Sequence, residues 1–181
     1  MRQSRLIVFN YTCSIMSKKT VQGKIPLFID LTEKSDDELI FLRIQMDKEF
    51  KKRLIKFSVA EIGETLAIDF FNNKPGLDNL QRSQIGTKNV DANSRRGQRY
   101  SIKTIKDGNK TGTVYPDRIK KDNPLFEYLL MVLLNEDYEL KSLHRFSWEQ
   151  FLLVRQWDKT MNAWYVPKTL KALKIGESIY E

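Results

Sequence analysis

Residues 89–105 read NVDANSRRGQRYSIKTI, and this stretch decides the fold. Tyr100 to Ile105 alternate in side-chain character as a β-strand does, and Val90 and Ala92 lie in a shorter extended run before them. Residues 94–97 (SRRG) between the two runs are typical of a turn. The stretch therefore predicts a β-hairpin that carries an acidic residue, Asp91, before its turn and a lysine, Lys103, after it.

Three helices are predicted around this hairpin, because three capping-box patterns precede apolar residues at helical spacing. The pairs are Ser35 with Glu38, Ser58 with Glu61, and Ser147 with Gln150. The first helix is expected to place Leu39, Leu42, Met46, Phe50 and Leu54 on one face. The second should end near Asn72-Asn73 and the third should include Trp157. A polar loop is expected over residues 74–88.

The segment from Phe126 to Leu134 is nearly all apolar, which is consistent with either a buried helix or a central strand. The turn residues 135–137 (NED), followed by a roughly alternating run, favour two strands. Together these elements predict an α/β fold, with a central mixed sheet flanked by helices. We expect a single domain over residues 26–181, beginning with a short extended segment at 26–32, after an irregular arm at residues 1–25.

Composition and charge indicate which partner and which cellular location to expect. The 181 residues carry a formal net charge of +8, which favours a polyanionic partner such as nucleic acid. Cys13 is the one cysteine, so no internal disulfide forms and a cytoplasmic location is expected. No apolar run in the sequence approaches the length that spans a bilayer, so no membrane association is expected.

Asp91 and Lys103 supply the chemistry that phosphodiester hydrolysis needs. A carboxylate binds a hard divalent cation, and an ammonium group stabilises the charge that develops on the phosphate. The alternative interpretation is a surface ion pair across the hairpin, which contributes little to stability.

The strings at residues 89–92 (NVDA) and 95–104 (RRGQRYSIKT) resemble the active-site hairpin of PD-(D/E)xK nucleases. The resemblance covers roughly residues 58–146 and implies a restriction-endonuclease-like core that uses Mg²⁺. It implies that Asp91 binds the metal and that Lys103 orients the attacking water. The second carboxylate of this family would stand at position 101, where this chain has Ser101.

The resemblance suggests two replacements for that carboxylate as a metal ligand. One is Glu64, in the helix before the hairpin, which resembles a glutamate found there in many such nucleases. The resemblance implies that Glu64 is a catalytic residue as well as a metal ligand. Asp117, in the loop after Lys103, is the other. Their alternative interpretations are a solvated helix residue and a turn or capping residue.

The resemblance extends to the small catalytic subunit of heterodimeric type IIS restriction endonucleases. It implies cleavage of one strand of double-stranded DNA, with site recognition by a larger partner subunit. Arg95, Arg96 and Arg99 would then face DNA phosphates. Two alternatives stay open: a stand-alone homodimeric restriction or repair nuclease, and a degenerate DNA-binding domain that does not cut.

Overall fold

The computed structural model describes residues 30–84, 86–117 and 123–181, so the expected arm at 1–25 and most of the expected extended segment at 26–32 lie outside the described residues. The chain divides into two units, residues 1–46 and 47–181. The described residues form four helices and eight strands. The helices are α1 (Asp36–Lys52), α2 (Val59–Asn73), α3 (Trp148–Val154) and α4 (Leu170–Leu173). The strands are β1 (Leu80–Arg82), β2 (Ala92–Ser94), β3 (Arg99–Ile105), β4 (Tyr128–Leu134), β5 (Leu140–Ser147), β6 (Gln156–Asp158), β7 (Ala163–Tyr165) and β8 (Glu177–Tyr180).

The second unit is built on a mixed six-stranded sheet in the order β1-β2-β3-β4-β5-β8, which confirms the predicted α/β fold. Strands β3 and β4 are parallel, and every other neighbouring pair in this sheet is antiparallel. Strands β6 and β7 form a separate two-stranded ribbon.

The sheet lies between two layers of helices, as the burial of strand β4 shows. Side chains of a strand point alternately to the two faces, and both faces of β4 are covered. Leu130 and Val132 join the apolar cluster with α2, whereas Leu129 and Met131 join the cluster with α3. The helices α2 and α3 therefore pack on opposite faces of the sheet.

The structure confirms the predicted capping serine at the start of each of the three predicted helices. Ser147 and Gln150 form the complete reciprocal box at the start of α3. At α2 the hydroxyl of Ser58 accepts from the backbone N–H of Glu61, but the carboxylate of Glu61 bonds Arg82 instead of closing the box. Helix α1 also has its predicted box, and none of its residues is buried.

Three predictions of local structure were wrong. Trp157 lies in β6 and not in the third helix, because α3 ends at Val154. Leu54 lies beyond α1, with a φ of 56°. The expected polar loop at 74–88 contains β1, because the side chain of Asn72 bonds both the N–H and the carbonyl of Leu80 and holds that residue in the core.

Candidate active site

Asp91 lies immediately before β2, at the point where the pairing of β2 with β3 ends. The two strands pair only as far as Ala92 and Tyr100, and β3 continues beyond them. The backbone N–H of Ile102 therefore donates to Oδ2 of Asp91, at 2.6 Å, in place of a strand partner. The fold thus fixes the carboxylate against the middle of β3.

Lys103 contacts the same carboxylate. Its Nζ lies 3.2 Å from Oδ2 of Asp91, and the hydroxyl of Ser101 donates to that oxygen at 3.3 Å. The side chains of Lys103 and Asp91 are only 17% and 22% exposed. The pair is therefore largely shielded from water, unlike the exposed ion pairs that contribute little to stability. Ser101 itself is fully buried.

Glu64 lies on α2, which packs unusually close to β3. A Cβ atom added to Gly63 would lie 2.0 Å from Oγ1 of Thr104, so only glycine fits at this contact. Gly63 precedes Glu64 and Thr104 follows Lys103, so the contact sets the separation of the two backbones here, while the side chains of Thr104 and Lys103 point to opposite faces of β3. A glycine inside a helix often marks a close packing contact. Gly63 was therefore the signal in the sequence that α2 lies close to another element here.

The pKa of the Glu64 carboxyl is raised above its ordinary value. Burial raises the pKa of the Glu64 carboxyl, and the negative charge of Asp91 raises it further. Arg82 opposes both effects from β1: its guanidinium donates to Oε2 of Glu64 at 3.2 Å, to Glu61 at 2.7 Å and to Thr65 at 2.5 Å. Sequence reasoning missed Arg82, because it lies in the segment that was predicted to be a loop.

The other predicted site residues lie elsewhere. Asp117 lines a groove of about 390 Å³ that includes Arg99 but neither Asp91 nor Glu64. Across the described residues, no group of three or more His, Cys, Asp or Glu side chains is arranged to hold a metal ion. Asp91 and Glu64 are thus not joined by Asp117 in a three-ligand cluster.

The three arginines predicted to face DNA differ in their surroundings. Arg96 forms an ion pair with Asp78, which also accepts from the hydroxyl of Tyr100 at 2.8 Å. Arg99 forms an ion pair with Glu127 at 2.7 Å, and this bond raises the pKa of the guanidinium. Arg95 lies exposed in the turn between β2 and β3.

The donor set around Asp91 fits a hard divalent cation. Within the part of the chain that the structure describes, no hydrogen bond reaches Oδ1 of Asp91 or Oε1 of Glu64. Mg²⁺ is commonly bound by only one or two carboxylates together with water and substrate phosphate oxygens. Asp91 and Glu64 are the two carboxylates that would supply such ligands.

The structure also bears on membrane association: in residues 30–84, 86–117 and 123–181, no helix combines the length and the apolar character required to cross a bilayer. No protein-family model matches the chain, and no curated protein sequence matches it either.

Proposed function

We propose that this chain is a Mg²⁺-dependent endonuclease subunit that hydrolyses a phosphodiester bond in one strand of double-stranded DNA. The observation that carries the proposal is the largely buried ion pair of Asp91 and Lys103, whose Oδ2 and Nζ atoms lie 3.2 Å apart, with Glu64 on the helix that packs against the same strand. Carboxylates beside a shielded ammonium are the groups that metal-assisted phosphoryl hydrolysis uses.

In this proposal the carboxylates of Asp91 and Glu64 would hold the cation. When bound, Mg²⁺ withdraws charge from the phosphate and makes a nearby water more acidic. Ser101 and the N–H of Ile102 hold Asp91 through its other oxygen, so the carboxylate does not need to reorient. Such preorganisation lowers the reorganisation cost at the moment of reaction.

Lys103 acts on the attacking water and on the phosphate. Its ammonium group orients the attacking water and offsets the negative charge that builds up on the phosphate oxygens. The water oxygen forms a bond to phosphorus while the bond from phosphorus to the 3′ oxygen breaks. The 3′ oxygen takes up a proton. The products are a 3′-hydroxyl and a 5′-phosphate.

We further propose that a larger partner subunit supplies site recognition in a heterodimer. The sequence contains no helix-turn-helix or zinc-finger spacing, and reading bases in the major groove generally requires a dedicated helix or ribbon. The net charge of +8 supports DNA as the substrate through counterion release.

One observation favours a second candidate, a DNA-binding domain of the same fold that no longer cuts. Ser101 is neutral and fully buried where related nucleases have a metal ligand. This candidate predicts that DNA affinity depends strongly on salt and does not change when Mg²⁺ is removed.

Plasmid cleavage distinguishes these functions. The purified chain is incubated with plasmid and Mg²⁺, alone and with its candidate large subunit, as wild type and as Asp91→Ala. We expect site-specific double-strand cleavage only with wild type plus partner. Cutting by the chain alone would favour a stand-alone homodimeric nuclease. DNA binding without metal and without cutting in any combination would favour the non-cleaving domain.

A further inference from the structure

A basic surface lies directly beside Lys103. We define it as the basic platform: the loop of residues 106–117 together with residues 155–171, which contain β6 and β7. We propose that the basic platform is the surface that binds the DNA duplex, next to the phosphate to be cut. This inference rests on the proposed nuclease function and assigns a part of the chain to its substrate.

The basic platform is held firmly against the site. A Cβ atom added to Gly112 would lie 4.0 Å from Cδ of Lys103, so this loop is in van der Waals range of the lysine stem. Four backbone hydrogen bonds among the described residues join the loop to β7 and the segment after it. They are Thr111 to Val166, Val114 to Trp164, Trp164 to Val114, and Lys168 to Asn109, at 2.7–2.9 Å. Bound DNA would thus be positioned relative to Lys103.

The charge of the basic platform suits a polyanion. Its two segments contain six basic residues and three acidic ones. One of the acids, Asp158, is only 14% exposed in its side chain and is neutralised by Lys110 at 2.8 Å. Lys159, Lys168 and Lys171 are exposed or partly exposed. Lysines spaced along a surface neutralise successive phosphates and release their counterions.

Two exposed apolar side chains lie on the same segment as these lysines. Trp157 is 40% exposed and Met161 is 47% exposed on the β6–β7 ribbon. Trp157 packs against Trp164, which in turn carries the guanidinium of Arg155 at 3.8 Å from its ring centre, so the exposed ring has rigid support. Rigid aromatic and apolar groups among cations are typical of surfaces that contact bases and sugars.

The hairpin arginines are less suited to the same task. Arg96 and Arg99 are engaged with Asp78 and Glu127, so a phosphate would have to replace an existing ion pair. Arg95 is the exception and could bind one phosphate. The lysines of the basic platform are therefore the better source of phosphate contacts.

Binding of a labelled DNA duplex at several salt concentrations, without divalent metal, tests the inference. The double variant Lys159→Gln/Lys168→Gln should bind about tenfold more weakly. The slope of log affinity against log salt should fall by about 2, since each phosphate that is no longer neutralised accounts for roughly 0.9. The matched control, Lys51→Gln/Lys52→Gln, removes the same charge from exposed lysines of α1, outside the basic platform, and should leave the slope unchanged.

Tryptophan fluorescence gives a second readout on the same protein. Trp148 and Trp164 are only 6% and 7% exposed, so DNA should quench Trp157 selectively. Trp157→Phe should abolish the quenching. Unchanged affinity and slope in the double variant, while wild type binds DNA, would overturn the inference and leave the proposed function intact.

Two further outcomes distinguish the inference about the basic platform from the proposed nuclease function. If the double variant binds DNA as wild type does but no longer forms a complex with the large subunit, the basic platform is a protein interface and the inference is overturned. A wild-type chain that neither binds DNA nor cuts it with its partner would overturn both the inference and the proposed function.

Discussion

The hydroxyl of Ser101 donates a hydrogen bond to Oδ2 of Asp91 at 3.3 Å, so this buried neutral side chain supports the carboxylate. Ser101→Asp introduces the second carboxylate that the proposed nuclease function would use, but it places a second negative charge in a fully buried position. Without metal we expect a loss of roughly 1–3 kcal/mol in the free energy of unfolding, because the new charge is buried and stands beside the negative charge of Asp91. Mn²⁺ should recover most of the loss. Urea denaturation with and without Mn²⁺ measures both effects, and a loss that Mn²⁺ does not reduce would argue against a cation at Asp91.

Glu64 should be required for cation binding. Glu64→Gln removes one of the two carboxylates, and we expect Mn²⁺ affinity to fall by at least roughly tenfold, the loss typical even for residues that only support a ligand. Isothermal titration of the DNA-free protein measures the affinity. Glu136→Gln, in the exposed turn between β4 and β5, is the matched control. Equal affinities in Glu64→Gln and wild type would remove Glu64 from the site.

Gly63 should tolerate no side chain. Gly63→Ala places a Cβ atom within 2.0–2.7 Å of three atoms of Thr104, so α2 has to move away from β3. We expect a loss of about 1–3 kcal/mol in the free energy of unfolding, as for other overpacked cores. Cleavage should fall further than stability alone explains, since Glu64 moves with the helix. Thr104→Ala in the Gly63→Ala background should recover part of the stability in chemical denaturation, and strict additivity of the two changes would contradict the close contact.

His144 should make folding stability depend on pH. Burial lowers the pKa of this imidazole below 6.5, and Glu181, with Oε1 4.0 Å from Nε2, only partly opposes the effect. The unfolded chain therefore takes up a proton before the folded protein does. Stability is fully present above pH 6.5 and declines as the pH falls from there towards the lowered pKa of the folded state.

His144 is the only histidine in the chain, so its NMR signal reports this titration without ambiguity. We expect the midpoint in the folded protein to lie below 6.5. His144→Leu should remove this part of the pH dependence, which urea denaturation at about pH 5 to 8 would reveal. A midpoint at or above 6.5 would contradict the account of its burial.

The parts of the fold that the sequence predicts are those with local causes. The Ser147–Gln150 capping box and the β2–β3 hairpin depend on residues a few positions apart, and both were predicted correctly. Strand β1 was missed because its pairing depends on Asn72, eight residues before Leu80, and on the partner strand β2.

The candidate site divides in the same way. The Asp91–Lys103 pair was predictable because the hairpin brings the two residues together over a short separation, and the structure confirms their contact. Arg82 could not be found, because its partners on α2 lie 17 to 21 positions earlier and its own strand looked like a loop. Composition alone also could not show that Arg96 and Arg99 already have acidic partners.

The most direct test of the central claim is single-turnover cleavage of an end-labelled duplex, with Mg²⁺ and a large subunit whose own active site has been inactivated. Wild type should cut one strand and leave a 5′-phosphate. Lys103→Met should cut about 10²–10³-fold more slowly, the usual cost of losing a group that stabilises transition-state charge, and Asp91→Asn should not cut detectably. Lys141→Met should cut as wild type does, and circular dichroism should show all four proteins folded. Cutting by Lys103→Met and Asp91→Asn at the wild-type rate would contradict the assignment of this site.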